Sequence, residues 1–274
     1  MSLLPIKQIS ETAVKISAGD LSQRINTAET ESELGQLAVV LNSTFARLEA
    51  AFAQQKQFAS DAAHELRTPI SVILTQTQTA LNRERQAAEY KQTVEACQRA
   101  AQRMRRLTSA LLELARLDAG QEEMKPLRFD FSKTVAECVE LIRPLADERG
   151  VKLSTELLPL EIEGDSERLS LVVTNLLTNA VQYNHDGGQV KVGAKLENGM
   201  AVLTVSDTGQ GIPAGDLPRV FERFYRADRS RSSGNAGLGL AISKALITAH
   251  GGSIEVVSEE NVGTTFTVRL PATA

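Results

Sequence analysis

The chain has 274 residues, a formal net charge of −4, 42% hydrophobic and 23% charged residues, which suffices for two or three compact units with soluble cores. The mild acidity excludes a general nucleic-acid binder, and no run of ~18 apolar residues is present to cross a bilayer. The two cysteines, Cys97 and Cys138, match no metal spacing and read as reduced packing residues, while 4% aromatic content without tryptophan suits long helices with aliphatic seams.

The first 120 residues are rich in Ala, Gln, Leu, Glu and Arg, all good helix formers. A short amphipathic helix is predicted over 3–17, then a polar connector over 18–32 punctuated by Leu21 and Ile25. From Leu34 a three-four apolar spacing runs through Leu37, Leu41, Leu48, Phe58, Ala62 and Leu66. It loosens at NRERQAAEY (82–90), where a helix–helix turn is predicted. It resumes at Val94, Cys97, Met104, Leu107, Leu111 and Leu114, ending near Asp118. One hairpin cannot hide two apolar seams, so a homodimer making a four-helix bundle is the economical solution.

Residues 127–274 alternate short strands with helices. FDFSKT begins as a strand, with Ser132 as the predicted cap of the helix that follows. VKLSTEL is a strand, and Asp165 caps a helix to about Tyr183. QVKVGAKL and MAVLTVSD form a hairpin around Asn198-Gly199. GLGLAISKALITAHGG is a glycine-led helix, and SIEVVSE and TTFTVRLP are the last strands. The fold class is multi-domain, an all-α helical half followed by an α/β two-layer sandwich.

No GxxxxGK[ST] is present, so a P-loop is excluded. GQGIPA (209–214) follows a strand, but Pro213 and Pro218 prevent the helix that a dinucleotide fingerprint needs, so a glycine-rich turn is the better reading. NLLTNA (175–180), DTGQGIP (207–213), FERFYRAD (221–228), GLGLAIS (237–243) and GTTF (263–266) then occur in order. This set resembles the ATP-binding domain of bacterial sensor histidine kinases, within the gyrase, MutL and chaperone ATPase superfamily.

The resemblance implies ATP and Mg²⁺. It makes Asp207 the acceptor of the adenine amino group, with Gly209 and Gly211 letting backbone approach the base. It makes Asn179 a Mg²⁺ ligand with Asn175 beside the metal and phosphates, and Tyr183 a stacking partner for adenine. Gly237 and Gly239 open a helix whose N–H groups meet phosphate oxygens. Residues 212–236 correspond to a mobile lid, with Arg226 as its phosphate contact and Phe221 and Phe224 as packing anchors. The family commonly has Lys where this chain has Gln182, one point charge fewer near the phosphates.

DAAHELRTPI (61–70) holds His64. HEL could open a zinc HExxH, but Thr68 takes the second position and no other His is near. Read alone, His64 is an exposed helix residue. Beside the ATP-binding set, the stretch resembles the phosphoacceptor box of histidine kinases. That implies His64 as phosphoryl acceptor, Glu65 as general base and Thr68 as positioner of a water that dephosphorylates the partner. Asp61 is left as a solvated neighbour. Pro69 removes the N–H that would bond the carbonyl of Glu65, which predicts a kinked or loosened helix.

Pro5, Gly19, Leu21, Glu33 and Gly35 resemble a HAMP linker, with an ordinary coiled coil as the bland alternative. The basic run QRAAQRMRRL (98–107) reads as a solvated helix face. The resulting division is a HAMP linker over 1–55, a dimerisation and phosphotransfer hairpin over 56–120 and a catalytic ATP-binding domain over 127–274. The expected activity is ATP-dependent autophosphorylation on His64 and transfer to an Asp of a response regulator receiver domain. No nucleic-acid partner is expected, and membrane attachment comes only through an upstream segment. That places the protein at the cytoplasmic face of a bacterial inner membrane. The competing readings are a phosphatase-dominant sensor and a degenerate dimeric scaffold.

Overall fold

The computed structural model describes residues 22–25, 33–118, 126–226 and 236–272, with the side chains of 33 and 34 left aside. The expected helix over 3–17 and the HAMP matches at Pro5, Gly19 and Leu21 lie outside these residues. The chain divides into two compact units, residues 1–64 and 65–274.

In the first unit, the connector is held to helix α1 (Glu33–Leu81) by a two-bond clasp. The Ile25 N–H donates to Asn42 Oδ1 and Asn42 Nδ2 donates to the Ile25 carbonyl, both at 2.8 Å. Ile25 and Ala38 are buried, and Arg24 pairs with Glu49. An amide side chain satisfying both backbone groups of an apolar residue lets that residue be buried without an orphaned donor. Leu37, Leu48 and Phe52 stay exposed on this single chain, as an unpartnered seam would.

In the second unit, α1 continues through Pro69, which is buried, without ending there. The predicted loosening is therefore not a break: only one backbone bond is forfeited, and the flanking turns carry the helix on. After residues 82–86 helix α2 (Ala87–Asp118) begins. Glu89 closes that turn, accepting from the Gln86 N–H at 3.1 Å and pairing with Arg85 at 3.0 Å.

The sandwich follows. Strand β1 (Leu127–Asp130) leads into α3 (Phe131–Glu148), then β2 (Lys152–Leu157), β3 (Glu161–Gly164) and α4 (Ser166–Gln182). Next come β4 (Gln189–Glu197), β5 (Met200–Asp207), a 3₁₀ turn (Leu217–Arg219), α5 (Gly239–Ala249), β6 (Ser253–Glu259) and β7 (Gly263–Pro271). The main sheet has order β2-β4-β5-β7-β6, parallel at β2/β4 and antiparallel elsewhere, and α4 packs against α3 and α5. The core lies between, with Leu169, Leu176, Leu177, Val205, Leu246 and Val268 fully buried. At the β4–β5 turn Asn198 (φ 51°) and Gly199 (φ 76°) both take positive φ, as a two-residue hairpin turn requires.

Two expectations need correction. The cap of α3 is Asp130, whose Oδ1 accepts from the Ser132 N–H at 3.1 Å, so Ser132 lies inside the first turn. Strand β3, paired antiparallel with β1, adds an element between β2 and α4 where none is expected. It has four residues and a single large apolar one, Ile162, which is too short an alternation to signal a strand.

Candidate functional site

Helix α4 sets the site's spacing. Its N-cap Asp165 accepts from the Arg168 N–H at 3.2 Å, and one face carries Asn175 and Asn179, one turn apart. The helix ends where the Tyr183 N–H reaches the Asn179 carbonyl at 3.0 Å. Asn175, Asn179 and Tyr183 line a cavity of about 360 Å³, a size suited to a small-molecule ligand. Asp207 at the end of β5, Gly211, and Gly237 and Gly239 at the start of α5 line the same cavity.

Close backbone packing shapes this cavity. The Gln210 N–H donates to the Tyr183 carbonyl at 3.1 Å. A Cβ on Gly209 would lie 2.9 Å from Asp207 Oδ1 and 3.0 Å from Asn184 Cα, so only glycine lets the loop close on α4. Gly209 itself does not line the cavity but sets where Asp207 and Gln210 stand. Gly211 has φ +66° and would meet the Glu259 carbonyl carbon at 2.7 Å. Gly237, at φ +70°, lies against the Phe224 backbone.

Asp207 is held by the Gly209 N–H, donating to Oδ1 at 2.8 Å, and by the Thr264 backbone. Burial nevertheless pushes its carboxyl above the usual range, these two hydrogen bonds opposing the shift. This half-buried carboxylate on the cavity wall can accept a hydrogen bond from a ligand donor. Thr264, opposite Asp207 in the β5/β7 register, also lines the cavity, a placement that the GTTF motif alone does not reveal.

Asn175 Nδ2 donates to the buried Ser243 Oγ at 3.0 Å, and its carboxamide packs on Gly239. This fixes the start of α5 beside α4, where Gly237, Leu238, Gly239 and Leu240 line the cavity. Among the described residues no cluster of three His, Cys, Asp or Glu side chains is present to hold a metal ion. Amide oxygens at Asn179 and Asn175 fit Mg²⁺, which binds through few protein ligands together with phosphates.

Of the segment expected as a lid, 212–226 and Ala236 are among the described residues. Phe221 packs edge-on against Phe266, centroids 6.4 Å apart, which agrees with its reading as an anchor. Tyr225 OH donates to Asp216, and Arg219 lies 4.4 Å over the Tyr225 ring. Arg226 lines the cavity. Gln182 does not; its carbonyl accepts from Arg149 at 3.1 Å.

The basic run 98–107 is not simply a solvated face. Arg103, Arg106, Leu107 and Ala110 share one helical stripe of α2 and line the cavity, because α2 packs against α5. Arg103 also pairs with Glu65 at 2.8 Å. A sequence shows this stripe but not what it faces. His64 and Thr68 are exposed, and Asp61 accepts from Gln57 at 2.9 Å.

Residues 164–274 match the family model described as histidine kinase-, DNA gyrase B-, and HSP90-like ATPase. Residues 54–120 match the His kinase A (phospho-acceptor) domain and residues 1–50 the HAMP domain. The chain is 35% identical to the probable sensor protein PcoS of Escherichia coli over 98% of its own length and 58% of that protein's. It is 33% identical to the sensor histidine kinase CusS of E. coli K12, covering 98% of the chain and 56% of CusS. It thus spans less than two thirds of these relatives. Among solved structures it is similar to full-length ShkA in complex with AMPPNP, at TM-score 0.61 and 29% identity over 80% of this chain and 46% of that one. With the three modules in this order, and relatives of the same kind along nearly all its length, the chain belongs to the sensor histidine kinases of two-component systems.

Proposed function

We propose that this chain uses ATP held in the α4–α5 cavity to phosphorylate His64, and passes the phosphoryl group to an Asp of a response regulator. The observation that carries the reading is the convergence of Asn175, Asn179, Asp207, Gly237 and Gly239, from three sequence segments, on one cavity.

Asp207 accepts the adenine amino group, and Tyr183 covers the ring. Asn179, with Asn175 beside it, holds Mg²⁺, which when bound screens phosphate charge and orients the triphosphate. The α5 N-terminus and Arg226 bind the phosphate oxygens. A neutral His64 ring nitrogen attacks the γ-phosphorus. The N–P bond forms as the bond to the β-phosphate oxygen breaks, ADP leaves with that electron pair, and the ring's other N–H proton passes to Glu65. Thr68, one turn after His64, positions water for dephosphorylation of the regulator. Exposure of His64 on α1 supports its meeting two different partners in turn.

The working unit is a homodimer in which the exposed seam residues Ile70, Leu74, Val94 and Leu112 are covered. The division into residues 1–55, 56–120 and 127–274 gives the linker, the hairpin and the catalytic domain. Among the described residues no helix is long and apolar enough to cross a membrane. Thermal unfolding with and without ATP·Mg²⁺ tests the nucleotide reading. ATP raises the melting temperature of the wild type and not of Asp207→Ala; equal shifts in both would contradict it.

A further inference from the structure

The side chain proposed as the base is tied to the cavity proposed for ATP. Glu65 Oε2 accepts from Arg103 Nη2 at 2.8 Å, with the two side chains 28% and 22% exposed, and the same Arg103 is part of the cavity wall. That wall belongs to α2, which packs against α5. Arg103 thus lines the same cavity as the N-terminal residues of α5, the helix end that favours negative charge. A triphosphate brings several negative charges there, whereas Glu65 offers one. A guanidinium binds oxyanions bidentately and cannot keep its full set of bonds with both.

We propose that Arg103 is a positioning residue that restrains Glu65 while the cavity is empty and releases it when a polyphosphate binds. While Arg103 donates to Oε2, the Glu65 carboxylate is held towards α2 and that oxygen is occupied. Loading ATP draws the guanidinium to the phosphates and leaves Glu65 available as base, so proton removal from His64 is enabled only once phosphoryl donor is present. The inference rests on the nucleotide reading above and adds a residue to it.

Linkage supplies the test, and its readout is binding rather than turnover. If Glu65 and the phosphates compete for Arg103, removing the Glu65 charge strengthens ATP binding. ATP and adenosine affinities are measured by calorimetry on the full chain for wild type, Glu65→Gln, Arg103→Gln, Arg103→Lys and the Glu65→Gln/Arg103→Gln double variant. Glu65→Gln is expected to bind ATP about 2- to 5-fold more tightly, the strength of a partly exposed ion pair, and adenosine unchanged. Arg103→Gln weakens ATP binding and erases the gain from Glu65→Gln, while Arg103→Lys keeps part of it. An unchanged ATP affinity in Glu65→Gln overturns the inference. So does an equal gain in the Arg103→Gln background, which would mean a general loss of negative charge. ATP bound by the wild type with either result leaves the nucleotide reading standing; ATP not bound by the wild type removes both.

Discussion

Gly239→Ala isolates one contact at the heart of the cavity. A Cβ there would lie 2.8 Å from Asn175 Cγ and 3.0 Å from Nδ2, and closer still to Oδ1. Relief requires the carboxamide to swing by several tenths of an ångström or more. Asn175 is not free to swing without loss, because Nδ2 donates to Ser243 Oγ and Ser243 is 1% exposed. Leaving that buried hydroxyl without its partner costs roughly 1–3 kcal/mol. Against this, alanine in place of glycine at the first position of α5 recovers up to ~1 kcal/mol of helix propensity. The net expectation is a domain destabilised by about 1 kcal/mol, with ATP affinity falling as Asn175 leaves its place. Urea denaturation of the four proteins in an Asn175→Ala/Gly239→Ala cycle measures it. In the Asn175→Ala background the second substitution meets no carboxamide, so it is neutral or stabilising. An equal cost in both backgrounds refutes the steric argument.

Other outcomes follow from the same geometry. His250 joins the end of α5 to the cap of α4: Nδ1 donates to the Leu246 carbonyl at 2.7 Å and Nε2 accepts from the Asp165 N–H at 3.0 Å. His250→Ala is expected to destabilise the sandwich by about 2 kcal/mol in urea denaturation. For Asp207, burial raises the folded carboxyl above its unfolded value, so ionisation costs the apo protein stability. That cost is absent below the unfolded value, grows as pH rises towards the raised folded one, and is fully present above it. Without nucleotide, Asp207→Asn should gain stability over wild type across that window, and its ATP-induced shift should be lost; parallel pH–stability curves for the two proteins would contradict this. Phe221→Ala removes the edge contact with Phe266 and should raise the KM for ATP several-fold with the hairpin unaffected, read by steady-state labelling.

Much of the sandwich is legible in the sequence because its signals are local. Asp165 caps α4, Asn198-Gly199 turns the hairpin, and alternating apolar residues mark β4 and β5. The cavity side chains follow from spacing on those elements, as with Asn175 and Asn179 one turn apart. What stays hidden depends on long-range partners. Ile162 makes a strand of β3 only by pairing with β1, and Asp130 outcompetes Ser132 as the cap through a geometry that FDFS does not encode. Thr264 reaches Asp207 through the β5/β7 register. Arg103 and Arg106 belong to a run that looks solvated until α2 meets α5. Gln182 lies off the cavity wall, and among the described residues the cations that line it are Arg103, Arg106 and Arg226.

The central claim is that His64 takes the phosphoryl group of ATP. Incubating the chain with γ-labelled ATP and Mg²⁺, then treating it with acid or alkali, tests that directly. The account predicts acid-labile, alkali-stable label on the wild type, absent from His64→Gln and from Asp207→Asn. Label that persists in His64→Gln, or no label on a wild-type chain that binds ATP, would contradict it.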